Sequence, residues 1–269
     1  MFRVLRGAGG ERVFRVATIS ALVLLAVFFI GIIVSMLAYT RWDAFVSALF
    51  SEEILFAIRL SVTTATIAAI ISILIAVPVA YAISRASFPG KDIVDSLLDL
   101  PIVISPIALG AALLVFFNTP LGASINNHVI KFVFAVPGII LAQITVISAL
   151  AVRLLKSTFD SIDPRYEQVA RTLGCSKPEA FFRVTLPLAR DGLIASGILT
   201  WARALGEFGA TVTLAGATAF KTETLPTAIF LSLASADVEK AIAVIFVLII
   251  IAIAALLVIR KIIGRRYQI

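Results

Sequence analysis

The chain has 269 residues, of which 61% are hydrophobic and 14% charged, with a mean hydropathy of +1.08. Soluble domains are nearer half apolar and a quarter charged, so this composition points to lipid as the solvent and excludes most soluble enzymes. A single cysteine, Cys175, excludes an internal disulfide, a single histidine, His128, excludes a two-histidine zinc site, and the net charge of +7 must be read from its placement.

Each membrane-spanning helix consumes roughly 20 apolar residues, so the chain holds about six spans and no separate soluble domain of ordinary size. Continuous apolar runs predict spans at about 17–39, 60–83, 93–117, 132–152, 188–214 and 241–259. The runs show no alternation, which makes this an all-α membrane protein, one domain over 1–269, rather than a barrel. Arg3, Arg6, Arg12 and Arg15 precede the first run, which is too long for the apolar stretch of a signal peptide and reads as an uncleaved helix. Pro101 and Pro106 interrupt the third run and free carbonyls that need partners: either a kinked helix lines a pathway, or helices pack around a bend. Asp95 and Asp99 precede them on one face and are expected to contact the inner end of the bundle. Gln143, Thr145 and Ser148 in the fourth run either line a pore or join helices.

Lysine and arginine set the orientation. With the N-terminus inside, one side receives only Arg41, Arg59, Lys131, Lys221 and Lys240, while the termini and the other connections hold nearly all the rest. That asymmetry predicts a multi-pass protein of the cell (inner) membrane with both termini cytoplasmic, and it accounts for the basic charge without nucleic acid. Positions near Asn126 and Thr222 are then expected to be reachable from outside, and Ser176 not.

One cytoplasmic connection, 153–187, is long beyond the usual loop. Asp163-Pro164 predicts a helix start, and Gly174 a left-handed stop. Ser176 predicts the cap of a second helix, with Pro178 and Glu179 in its first turn. Phe181, Phe182, Val184 and Leu186 give that helix an apolar face, and Pro187 is expected to stop it. Two short helices joined at a bend form a lever suited to a cytoplasmic partner; the alternative is a solvated re-entry loop.

Gln168-Val169-Ala170, then Gly174, then Val184-Thr185-Leu186-Pro187 resemble the EAA loop of ABC-importer permeases in residues and spacing. Two positions depart from that pattern. Gln168 stands where glutamate is usual, with Glu167 one residue early, and Val169 replaces alanine. Phe88-Pro89-Gly90-Lys91, Leu100-Pro101, Ser105-Pro106, Ala170-Arg171-Thr172-Leu173-Gly174 and the run from Ala202 to Ala210 are similar to the molybdate/tungstate subgroup. Sulfate permeases carry related strings, usually with tyrosine and serine at Phe208 and Ala210. The similarity covers roughly 55–260.

The resemblance implies a type I ABC-importer permease fold whose coupling helix docks in a cleft on a separate ATPase subunit. On that reading Glu167, Gln168, Val169, Ala170, Arg171, Thr172, Leu173, Gly174, Cys175 and Ser176 form the coupling segment. It further implies a homodimer in membrane lipid, two ATPase copies below and a periplasmic or extracellular oxyanion-binding protein above. ATP and Mg would sit on the ATPase, with no cofactor or metal on this chain. The residues agree with the first part: the only Gly-Lys pair, Gly90-Lys91, lacks the glycine five positions earlier that a phosphate-binding loop needs.

Arg203 and Glu207, four apart in the fifth run, share a helix face roughly 24 Å from Pro187, beyond the midplane. They form either a cavity-lining pair that screens a dianion or holds an outer gate, or an ion pair that fixes helix packing. Thr211 and Thr213 are candidate hydroxyls for an anion path, and Pro101 and Pro106 candidate pathway residues. The competing functions are a sulfate or thiosulfate permease and, from another class, an ion-coupled secondary transporter. The latter would need inverted repeats or further intramembrane carboxylates.

Overall fold

The computed structural model describes residues 8–39 and 41–264. Arg3, Arg6, Arg265 and Arg266, used above for orientation, lie outside them. Helix α1 (Ala8–Tyr39) leaves nearly all of its apolar side chains uncovered by the rest of the chain. A short helix α2 (Trp42–Leu49) follows and packs on the last helix through Phe45 and Phe246, whose rings are 5.6 Å apart.

The bundle is built on α3 (Glu52–Arg85) and α7 (Val136–Asp160), which lie along each other. The buried stripe of α3 is made of small residues, among them Ala57, Ser61, Ala65, Ala68, Ser72, Ala76 and Ala80. In lipid there is no hydrophobic drive between helices, so close backbone approach through small side chains supplies the adhesion. Ser51 caps α3 by accepting the Ile54 amide at 3.3 Å. Toward the Arg85 end of α3, Ala76, Ala80 and Ile83 pack with Ala151, Val152, Leu155 and Phe159 of α7.

The third apolar run is not one straight helix. It divides into α4 (Lys91–Val103) and α5 (Pro106–Phe117), bent by 108° at Ile104 and Ser105. Pro101 sits inside α4, whereas Pro106 begins α5 and its ring pushes Ser105 into an extended conformation (ψ 142°). Only the second proline makes the break. Helix α6 (Pro120–His128) then leads through 129–135 into α7.

Beyond α7 come α8 (Arg165–Thr172) and α9 (Lys177–Ala180), a π-helical turn (Phe181–Thr185), α10 (Leu186–Leu188) and α11 (Arg190–Leu205). Pro187 therefore does not end the second coupling helix. It sits inside a helical run continuous from Lys177 to Leu188, directly after the π-helical turn. The fifth run also breaks, at Gly206–Phe208, into α11 and α12 (Gly209–Ala215). A further apolar helix, α13 (Leu225–Ala234), occupies the outer connection that the sequence leaves as loop, before α14 (Val238–Gly264).

Four of these helices are long and apolar enough to cross a membrane, and five if α4 and α5 count as one bent span. By length and composition alone this is fewer than the six spans expected, because the third run is bent and the fifth is broken at Gly206–Phe208. At 16 residues α11 is about 24 Å long, short of a bilayer core of roughly 30 Å.

Candidate coupling and pathway sites

The coupling segment is capped as its residues require. The Asp163 carboxylate accepts the Arg165 amide at 2.9 Å and so fixes the entry to α8. At the other end Gly174 lies at φ +94°, and its amide reaches the Arg171 carbonyl while the Cys175 amide reaches that of Ala170, both at 3.1 Å. Those two bonds define a Schellman stop. Added atoms at Gly174 would meet nothing within 4 Å, so the demand for glycine comes from the backbone angle alone. Ser176 and Glu179 then form a reciprocal cap: the Ser176 amide donates to Glu179 Oε2 at 2.8 Å and the Glu179 amide to Ser176 Oγ at 3.4 Å.

Helix α8 has two faces. Tyr166, Val169 and Leu173 stand 58%, 59% and 81% exposed at helical spacing, an apolar stripe facing away from the bundle. Gln168, Arg171, Thr172 and Ser176 are exposed as well, and Cys175 is half-buried. Ala170 and Glu167 face inward. Glu167 Oε2 accepts the Tyr81 hydroxyl at 2.7 Å and Oε1 accepts Arg85 Nε at 3.0 Å. Burial alone would raise the Glu167 carboxyl; the bonds from Tyr81 and Arg85 outweigh it and hold the group below the usual carboxylate range. Glu167 is thus turned to its own chain, whereas its neighbours Gln168, Val169, Arg171 and Thr172 are exposed.

The expected apolar face of the second helix is divided. Phe181 packs on Tyr81 and Phe159, at 4.6 and 6.2 Å between ring centroids, while Phe182 stands 64% exposed. The π-helical turn at these residues rotates successive side chains off an α-helical stripe.

The charged pair lies at the break between α11 and α12. Arg203 Nη1 donates to Glu207 Oε2 at 2.7 Å, with the Glu207 side chain 1% and the Arg203 side chain 39% exposed. The second Glu207 oxygen accepts the Ala210 amide at 3.1 Å, so this carboxylate also satisfies the start of α12. Gln143 of α7 donates to the Ala204 carbonyl at 3.1 Å, closing the end of α11. Gln143 joins helices here rather than lining a path. Thr213 Oγ1 bonds the Gly209 carbonyl at 2.7 Å, and Thr211 is fully buried with no hydrogen-bond partner for its hydroxyl.

The two helix breaks meet. A Cβ on Gly209 would come within 2.9 Å of Ile107 and 3.1 Å of Pro106, and one on Gly110 within 2.8 Å of the Ala210 Cα. Pro106, Glu207 and Thr211 therefore belong to one junction, made where α5 and α12 approach backbone to backbone. Pro101 lies inside α4, one turn before the bend.

Sequence reading missed three polar sets. Asp95 and Asp99 contact the bundle at Arg153 of α7, which reaches Asp95 Oδ1 at 2.9 Å and also bonds Asp99. At the opposite end Thr222, Glu223 and Thr224 are fully buried, so Thr222 is not the accessible position expected of an outer loop. The Leu225 amide donates to Ser61 Oγ at 2.7 Å, which pins this segment to α3. Lys240 of α14 bonds Glu53 of α3 at 2.5 Å beside it. Each pairing spans more than fifty residues, and no local pattern announces it.

The bundle thus has broken central helices and, on a capped loop helix, an exposed apolar stripe. Residues 69–268 match the family described as binding-protein-dependent transport system inner membrane component. A probable molybdenum ABC transporter permease protein of Haloferax volcanii is 38% identical over 77% of this chain and 75% of its own length. The sulfate transport system permease protein CysW of Synechococcus elongatus is 36% identical over 68% of this chain and 65% of its own. In a crystal structure of a bacterial alginate ABC transporter with its periplasmic protein, one chain superposes with a TM-score of 0.76 at 18% identity, covering 96% of each chain. The protein belongs to this family of ABC-transporter permeases.

Proposed function

We propose that the chain is the membrane-spanning permease of an ATP-driven importer for molybdate or tungstate, working as a homodimer on a pair of separate ATPase subunits. The observation that carries the coupling part is the stripe of Tyr166, Val169 and Leu173, uncovered on a helix capped at both ends. Such a face fits a cleft on a soluble partner, and the molybdenum permease of Haloferax volcanii supports the oxyanion. The junction of α5 and α12 is the gate in this reading, since irregular backbone at membrane depth is tolerated where it is buried in protein or lines a path. Selection of the anion falls to an external binding protein. ATP-driven closure of the ATPase pair would push α8 and open the pathway outward, and hydrolysis would reset it.

Leu173→Asp is expected to weaken retention of the ATPase by about thirtyfold or more, the loss typical of a central apolar contact. Co-purification from detergent measures it, and full retention would remove α8 as the docking element. The sulfate alternative rests on the CysW relative. Uptake of labelled molybdate that excess sulfate abolishes would favour that alternative.

Orientation is tested by labelling. A membrane-impermeant maleimide applied to intact cells is expected to reach Asn127→Cys, at an exposed position, and to spare the native Cys175. Inverted vesicles should reverse the pattern, and labelling of Cys175 from outside would overturn the topology.

A further inference from the structure

The inward face of α8 is fastened to two other helices by a closed set of bonds. Glu167 accepts from Tyr81 and from Arg85, both in the last two turns of α3. The rest of the Arg85 fork is also occupied: Nη2 donates to the Ile162 carbonyl at 2.8 Å and Nη1 to Ser84 Oγ at 3.1 Å. Ser84 in turn donates to Asp160, the last residue of α7, at 2.5 Å. The Tyr81 ring packs against Phe159 of α7 at 5.8 Å. The Arg85 and Glu167 side chains are each 13% exposed, and a planar guanidinium with every edge bonded is fixed in direction as well as charge.

The chain leading forward from α8 is built differently. It passes the Gly174 bend, the single turn of α9, the π-helical turn, the single turn of α10 and the junction at Ala189 before reaching α11. Mid-helix irregularities of this kind are where helices bend. A push on α8 therefore meets a hydrogen-bonded route through Glu167 into α3 and α7, and a route into α11 that crosses these irregular turns and is held to α3 and α7 by the packing of Phe181 on Tyr81 and Phe159.

We propose that Glu167 is the positioning residue for coupling: it clamps α8 to the inner ends of α3 and α7, so that displacement of α8 is delivered to those two helices. This rests on the reading that α8 docks on the ATPase. Gln168, at the usual glutamate position of the loop, is exposed and free to face that partner.

The test uses the complete transporter with its binding protein in proteoliposomes, measuring labelled molybdate taken up per ATP hydrolysed. Glu167→Gln is expected to keep the ATPase bound and to lower uptake per ATP by about fivefold or more, the scale of an allosteric coupling between sites. The charge-exchanged double variant Glu167→Arg with Arg85→Glu should recover part of that ratio, which a general loss of folding would not allow. Tyr81→Phe removes one bond to the clamp and should shift the ratio in the same direction, and it keeps the test open should Glu167→Gln not fold. Spin labels on α8 and on the inner end of α3 should hold one separation through the ATP cycle in the wild type and several in the variants. Unchanged uptake per ATP in both Glu167→Gln and Tyr81→Phe overturns the clamp. So does loss of ATPase binding in Glu167→Gln, which would make Glu167 a docking residue. Retained binding in Leu173→Asp instead removes the docking reading beneath it, so the two failures are distinguishable.

Discussion

Arg203→Gln is expected to destabilise the solubilised protein by about 3 kcal/mol, and Glu207→Gln by only about 1 kcal/mol. The asymmetry follows from burial. Removing Arg203 leaves a carboxylate that is 1% exposed with one remaining protein bond, from the Ala210 amide. A buried charge without its partner carries most of the cost of a broken pair. Removing the charge of Glu207 leaves Arg203 with 39% of its side chain uncovered by the chain and so less confined than the carboxylate, while the side-chain carbonyl of the substituted glutamine still accepts the Ala210 amide. The double variant Arg203→Gln, Glu207→Gln should therefore recover most of the loss seen in Arg203→Gln. Denaturation of the three variants in one detergent gives the comparison. Equal losses in the two single variants would mean that the pair is not buried unevenly and would remove the capping role of Glu207. Uptake then separates gate from packing: a stable double variant that transports slowly places Arg203 on the anion path, and one that transports normally confines the pair to holding the junction of α11 and α12.

Local chemistry was legible in the sequence, and contacts between distant segments were not. Asp163, Gly174, Ser176 and Glu179 announce the ends of α8 and the start of α9, because a cap is decided by residues within four positions of one another. The pattern of apolar runs likewise fixes a helical membrane protein. It could not show which proline breaks the third run. Pro106 follows a serine whose hydroxyl accepts the Ala108 amide at 3.3 Å and so starts a new helix, whereas Pro101 follows Leu100, which has no capping group. Hydropathy also passes over Gly206–Phe208, since a break flanked by apolar residues leaves the average unchanged. Gln143 was ambiguous for another reason: its partner, Ala204, sits on another helix, and the same separation hides the pairing of Arg153 with Asp95 and Asp99. The same holds for Glu167, whose motif context points to a partner protein and whose side chain is bound within its own chain.

Glu223 should impose a pH dependence of stability that runs opposite to that of the ordinary surface carboxylates. It lies in the connection between α12 and α13, fully buried beside Glu53 and the Phe220 backbone. Burial, followed by the neighbouring Glu53 carboxylate of α3, pushes its carboxyl from 4.5 up to about 7, and Lys240 of α14 opposes the shift. A carboxyl raised in the folded state binds its proton more tightly there than in the unfolded chain. Its contribution to stability is therefore complete below pH 4.5 and is lost as pH rises to about 7. The loss is at most about 3 kcal/mol, from the size of the shift. Glu167 and Glu179, both held below the usual range, act the other way and in a different window: their contribution is present above the ordinary carboxylate value and fades as the solution becomes more acidic. The difference between wild type and Glu223→Gln isolates the one group. Glutamine keeps the shape and removes the titration, so the variant should match the wild type near pH 4.5, pull ahead of it as pH rises, and hold a constant lead above pH 7. Parallel profiles across that interval would mean that Glu223 is solvated or paired in the folded protein.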